Sequence, residues 1–203
     1  MKKCIVVCGY KPNIDDIKIN CDLFGVDAGC LYLVKKGINN FIGIGDFDSV
    51  SEKDYELIKN SAKEIIKLNP IKDDTDLEHA FNYLIEKGYT NIDLFGALGG
   101  RQDHNLLNLK LIYLSKLNVT AYDDKNKIYV LNEGNHIINK DGYDYISLFP
   151  FKKTIVTLKG TKYLLDNKEI NLNDNYTTSN EILNDKCEIN ITKGKLLVIQ
   201  AKD

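Results

Sequence analysis

Asp46 and Asp48 stand two residues apart behind the apolar run Phe41-Ile42-Gly43-Ile44. In an extended segment both carboxylates leave on the same side and can share one cation. Hard oxygen donors of this kind suit Mg²⁺, which keeps several waters and takes one or two carboxylates together with substrate phosphates. Acids recur in three more segments, Val26-Asp27-Ala28-Gly29, Lys72-Asp73-Asp74-Thr75-Asp76 and Gly96-Ala97-Leu98-Gly99-Gly100-Arg101-Gln102-Asp103-His104. In the last of these, glycines between a strand and a helix let backbone amides approach a phosphate, and the helix N-terminus adds a favourable dipole. Arg101 is the single arginine among 27 basic residues, and its planar fork is suited to bidentate phosphate binding. Taken one at a time, each Asp is more simply a helix cap or a solvated loop acid, and Asp73 or Asp74 is as readily an N-cap as a ligand. Taken together, acids crowded on one edge repel each other unless a cation sits among them. His104, at a helix start, reads equally as a general base or as a hydrogen-bonded structural imidazole. No G-x-x-x-x-G-K-[ST] loop occurs, no G-x-G-x-x-G follows the first strand, and no Ser or Cys has a nucleophile setting, which excludes a Walker site, the ordinary dinucleotide fingerprint and covalent catalysis.

The elements that must position these residues are legible in the periodicity. Residues 1–126 alternate short apolar runs with helical patterns, the signature of an α/β unit with a parallel, Rossmann-like sheet. Strands are expected at Cys4–Cys8, Phe24–Val26, Phe41–Ile44, Glu64–Leu68, Asn91–Phe95 and Val119–Tyr122. A helix over Thr75–Lys87 buries Leu77, Ala80, Phe81, Leu84 and Ile85 and stops at Gly88. Further helices are expected near Ala28–Lys36, after Ser51, and over Asp103–Leu117. Ligands of open α/β sheets sit beyond the carboxyl ends of the strands, where the four acid or glycine tips converge. Residues 127–203 change to period 2 and read as all-β, with strands at Ile128–Leu131, Tyr145–Phe149, Ile155–Leu158, Cys187–Ile191 and Leu196–Gln200. The last two are expected to pair as a hairpin across Lys193-Gly194, and Asp166–Asn184 as a long loop around one short strand.

Composition bounds the partners. The 27 Lys and Arg against 29 Asp and Glu leave a net charge of -2, with no general field for nucleic acid or anionic lipid. No apolar run approaches the length needed to cross a bilayer, and the opening apolar stretch is too short for a signal peptide, so a cytoplasmic protein is expected. The five cysteines form no C-x-x-C pair and read as buried or idle thiols.

The four segments, in this order, resemble the thiamine pyrophosphokinase family. Gly160-Thr161-Lys162-Tyr163-Leu164-Leu165 and Ser179-Asn180-Glu181 resemble the C-terminal part of such enzymes, so the likeness covers nearly the whole chain. It implies an α/β catalytic domain followed by a β-sandwich, working as a homodimer with thiamine held between subunits. It also implies Mg²⁺-dependent transfer of a pyrophosphoryl group from ATP to the thiamine hydroxyl, releasing AMP. On this likeness Asp46, Asp48 and Asp76 hold the metal; Asp27, Asp73, Thr75, Gly99, Gly100, Arg101 and Asp103 serve ATP; and Ser179 and Asn180 lie at thiamine. The chain departs from members that stack an indole on thiamine, since it has no Trp. Two alternatives are a haloacid-dehalogenase-like phosphatase, because Asp46-Phe47-Asp48-Ser49-Val50 fits D-x-D-x-[TV], and a nucleotide or metal sensor without turnover.

Overall fold

The computed structural model describes residues 1–15, 18–69 and 74–203, and they divide into two compact units, Met1–Asp124 and Lys125–Asp203. In the first unit the chain runs β1 (Lys2–Val7), β2 (Asp22–Val26), α1 (Ala28–Lys35), β3 (Ile42–Gly45), α2 (Glu52–Ser61), β4 (Glu64–Lys67), α3 (Asp76–Glu86), β5 (Tyr89–Phe95), α4 (Gln102–Leu114) and β6 (Asn118–Tyr122). The strands lie in the order β4-β3-β2-β1-β5-β6, every pair parallel. Parallel pairing brings all the carboxyl ends to one edge, and the order reverses between β1 and β5, where a crevice opens.

The central strands are buried along most of their length, as a sheet covered on both faces requires: Ile5, Val7 and Leu23 pack with Leu33 of α1, Ile58 of α2 and Phe41, while Phe24 points to the other face and meets the rings of Tyr83 and Tyr89. Helix α3 buries Leu77, Ala80, Phe81 and Leu84 as the spacing predicts, whereas Ile85 lies at the margin of the stripe and is 38% exposed. Its N-cap is Thr75, whose Oγ1 accepts from the Glu78 N–H at 3.3 Å, so the cap is not Asp74. Asp73 lies outside the described residues. A β-branched hydroxyl flush with the first turn reaches that amide, while Asp74 sits one residue too early and instead faces His79 at 3.7 Å.

The second unit holds β7 (Asn126–Leu131), β8 (Gly134–Asn139), β9 (Tyr145–Phe149), β10 (Thr154–Lys159), β11 (Leu165–Ile170), β12 (Lys186–Lys193) and β13 (Leu196–Ala201). Strand β13 runs antiparallel between β7 and β9, and a separate antiparallel sheet has the order β11-β10-β12-β8. Inward residues of both sheets share one core, including Leu148, Val198, Val156 and Ile189. This is the sandwich arrangement.

The expected hairpin of the last two strands does not form, because β12 pairs with β8 and β10 while β13 pairs with β7 and β9. Both strands point alternate residues at one core, but from opposite sides of it. The chain changes sheet at Gly194, which has φ +93 and lies so close to Thr154 that a Cβ would stand 2.6 Å from its Oγ1. Strand β8, absent from the sequence expectation, is an edge strand that buries only Ile138 and leaves Ile137 64% exposed.

Candidate active site

Strands β1, β2 and β5 and the start of α3 deliver their ends to one cleft of about 370 Å³, lined by Cys8, Tyr10, Asp27, Thr75, Asp76, Gly99, Arg101 and His104, among others. It opens in the crevice between β1 and β5. Helix α1 begins hard against the end of β1, where a Cβ on Gly29 would lie 2.0 Å from the Val7 carbonyl oxygen; only glycine permits that approach.

Asp27 links two of the acid segments. It occupies the residue before α1 with φ 49, a backbone region that side chains seldom adopt. Its Oδ1 accepts from the Phe47 N–H at 3.2 Å and its Oδ2 from the Ser49 hydroxyl at 3.1 Å. Burial raises its pKa above the usual carboxylate value, and the charge of Asp76, then that of Asp46, adds to the rise against the two hydrogen bonds. The same crowd of negative charge, added to burial, pushes the Cys8 thiol up to about 12. Because the folded chain holds the Asp27 proton more tightly than the unfolded chain, stability falls as pH rises toward the folded pKa. Asp27→Asn keeps an acceptor for Phe47 and offers a donor to Ser49. It is expected to melt above the parent at pH 7 without nucleotide or metal, with the gap closing as the pH is lowered, as thermal melts across pH will read. A lower melting temperature at pH 7 would contradict the charge repulsion.

Asp46 accepts the Asp48 N–H on Oδ1 at 3.1 Å. The intervening Phe47 is buried and has φ 59, its ring packed on Tyr55. The segment therefore turns about an anchored aromatic and is not extended, which corrects the alternation argument for the two acids. Asp48 is exposed. Among the described residues no three His, Cys, Asp or Glu side chains form a group that could hold a metal ion. Asp46 and Asp76 are near enough to Asp27 for their charges to act on its carboxyl, and the oxygens of all three are donors of the type Mg²⁺ takes alongside phosphates and water.

Arg101 precedes α4 and forms a two-pronged pair with Asp103, Nη2 to Oδ2 at 2.6 Å and Nε to Oδ1 at 3.2 Å. That pair and the His104 N–H hold the Asp103 carboxyl down to about 2, although both side chains are largely exposed. The glycine loop is tied to α4 by two asparagines, Gly99 N–H donating to Asn105 Oδ1 at 3.0 Å and Asn108 Nδ2 donating to the Ala97 carbonyl at 2.7 Å. Neither asparagine was identified from the sequence, though their three-residue spacing on the helix behind a glycine loop was readable.

In the second unit Asn180 is buried and its amide clamps Tyr163 from both sides, accepting from the Tyr163 N–H at 3.0 Å and donating to its carbonyl at 2.7 Å. Ser179, with φ 54, donates its N–H to the Ser147 hydroxyl. Beside Asn180 lies a pocket of about 290 Å³ rimmed by Tyr163, Leu164 and Tyr176. Tyr163 is 62% exposed on this fixed backbone.

Residues 18–123 match the family described as thiamin pyrophosphokinase, catalytic domain, and residues 135–196 match thiamin pyrophosphokinase, vitamin B1 binding domain. The thiamine pyrophosphokinase of Bacillus subtilis is 35% identical over 98% of this chain and 98% of its own length. A crystal structure of thiamine pyrophosphokinase from Bacillus subtilis superposes with a TM-score of 0.87 at 31% identity, covering 100% of both chains. One of a thiamin pyrophosphokinase family protein from Enterococcus faecalis gives 0.88 at 27% identity, again over 100% of both.

Proposed function

We propose a mechanism from the premise that this chain belongs to the thiamine pyrophosphokinase family. Its activity is transfer of a pyrophosphoryl group from ATP to the thiamine hydroxyl, giving thiamine diphosphate and AMP. Neither the phosphatase nor the sensor reading has support: the D-x-D segment follows β3, not the first strand, and the family match spans both units.

Transfer of this kind needs placement and charge neutralisation more than covalent help. The triphosphate lies in the crevice between the exits of β1 and β5. Gly99 and Gly100 bring backbone close to the phosphates, Thr75 lies beside them in the cleft, and the α4 N-terminus adds its dipole. Arg101 offers its fork to phosphate oxygens, with Asp103 fixing the guanidinium at the rim of the loop. Asp46, Asp48 and Asp76 are the residues that would hold Mg²⁺, with Asp27 close by. When bound, the ion neutralises charge on the phosphate oxygens. An aspartate of this group takes the proton from the thiamine hydroxyl. The observation that carries the reading is the convergence of three separate segments on one edge, where the charges of Asp76 and Asp46 act on the buried Asp27 carboxyl and where Arg101 and the glycine loop end.

Thiamine docks in the second unit at Ser179 and Asn180, and Tyr163 supplies the aromatic face in place of an indole. The support is a ring left open to solvent while its backbone is locked by Asn180, which suits a stacking surface for a cationic heterocycle. Tyr163→Ala is expected to raise the thiamine KM about tenfold, while Tyr163→Trp stays near the parent, by steady-state kinetics. Equal effects on the ATP KM would contradict the assignment. The protein works in the cytoplasm as a homodimer with thiamine between subunits, which light scattering of the purified chain will test. Among the described residues no helix is long and apolar enough to cross a membrane.

Incubation with ATP, Mg²⁺ and thiamine is the direct test. AMP and thiamine diphosphate in equal amounts are expected; inorganic phosphate released from small phosphoesters, without AMP, would overturn the reading.

A further inference from the structure

We propose that Tyr10 is a positioning residue for nucleotide binding, its ring holding Gly99 and Gly100, and with them Arg101, in the shape that receives the triphosphate. This rests on the cleft being the ATP site.

Beyond β1 the chain stays tied to the exit of β5. The Cys8 N–H donates to the Phe95 carbonyl at 2.8 Å and the Tyr10 N–H to the Gly96 carbonyl at 3.0 Å. That places Tyr10 beside the glycine loop. A Cβ on Gly99 would stand 2.6 Å from Tyr10 Cε1, and one on Gly100 2.7 Å from Cδ2. These atoms belong to opposite edges of the ring, so the ring spans the Gly99–Gly100 peptide. Both glycines have positive φ, +84 and +71. Two adjacent glycines are the segment with most conformational freedom to lose. Asn105 and Asn108 of α4 secure the Gly99 amide and the Ala97 carbonyl, and the Tyr10 ring adds a second restraint on the glycine pair. Tyr10 lines the same cleft as Asp27, Asp76 and Arg101 and remains 43% exposed.

Carbon atoms of the ring make this contact, so phenylalanine preserves it and alanine removes it. Without the ring, the loop must be ordered by the nucleotide itself, which weakens nucleotide binding and leaves thiamine binding alone. Calorimetric titration of the full chain with MgATP, and separately with thiamine, measures both. Tyr10→Ala is expected to raise the MgATP Kd about tenfold, close to the effect of leaving one residue's backbone unfixed, with the thiamine Kd unchanged. Tyr10→Phe is expected within about twofold of the parent. Tyr10→Leu, which keeps apolar bulk without the flat ring, stands in if the alanine variant does not fold. Three results would each overturn the proposal: a MgATP Kd in Tyr10→Ala or Tyr10→Leu within twofold of the parent, a Tyr10→Phe as weak as Tyr10→Ala, or equal weakening for both ligands. A parent that makes thiamine diphosphate but tolerates these changes sinks only the Tyr10 role; a parent that binds no MgATP sinks the ATP reading with it.

Discussion

Asp76→Asn is expected to lower kcat by about 10³-fold, the scale on which removing one charge-stabilising group acts in comparable sites. The side chain stands at the first position of α3, in the cleft, and interacts with the Asp27 carboxyl. Asparagine has the same shape, and the Thr75 cap on Glu78 is untouched, so the fold is retained. A helix N-terminus favours a carboxylate, whereas the Asp27 charge opposes it, and the two act in opposite directions on stability. Rate should therefore fall far more than melting temperature. Steady-state kinetics over a range of Mg²⁺, beside a thermal melt, reads both. Asp48→Asn carries the same expectation of a loss of several orders of magnitude and is the sharper case, because Asp48 is exposed and reaches this region by way of the turn at Phe47. A near-native rate in Asp48→Asn would remove it from the metal-binding set.

Arg101→Lys is expected to lower kcat/KM for ATP about 100-fold, nearly as far as Arg101→Ala. The change keeps the charge and discards the fork. In the structure that fork already grips Asp103 with two nitrogens, a geometry an ammonium cannot reproduce. Retention of kcat/KM within about threefold in the lysine variant would show that charge alone suffices. The melting temperature should barely move, since the pair lies at the surface and such pairs contribute little to stability.

Much of this site was readable in the residues because a parallel sheet converts sequence order into position. An apolar run followed by an acid or a glycine loop must place that loop at the carboxyl edge, whichever strands turn out to be neighbours. Asp27, Asp46, Asp76 and the Gly96–Arg101 loop could be assigned to one edge for that reason. Tyr10 could not, because its contact with Gly99 and Gly100 depends on β1 and β5 being adjacent, a choice of partner that no local pattern encodes. The last two strands make the same point. Alternation in Ile189, Ile191, Leu196 and Val198 says which side chains face inward, but not from which sheet. Strand β8 escaped because an edge strand with a single buried side chain, Ile138, has almost no alternation to detect.

The placement of β13 between β7 and β9 has a consequence for biosynthesis. A ribosome releases the chain from its N-terminal end, and every strand of the first unit is complete by Tyr122. That unit can reach its native pairing while the rest is still being translated. Strands β7 and β9 wait with open edges until residues 196–201 emerge to fill the gap, so an mRNA cut short before Leu196 yields a product with two strand edges left open, a substrate for chaperones and proteases.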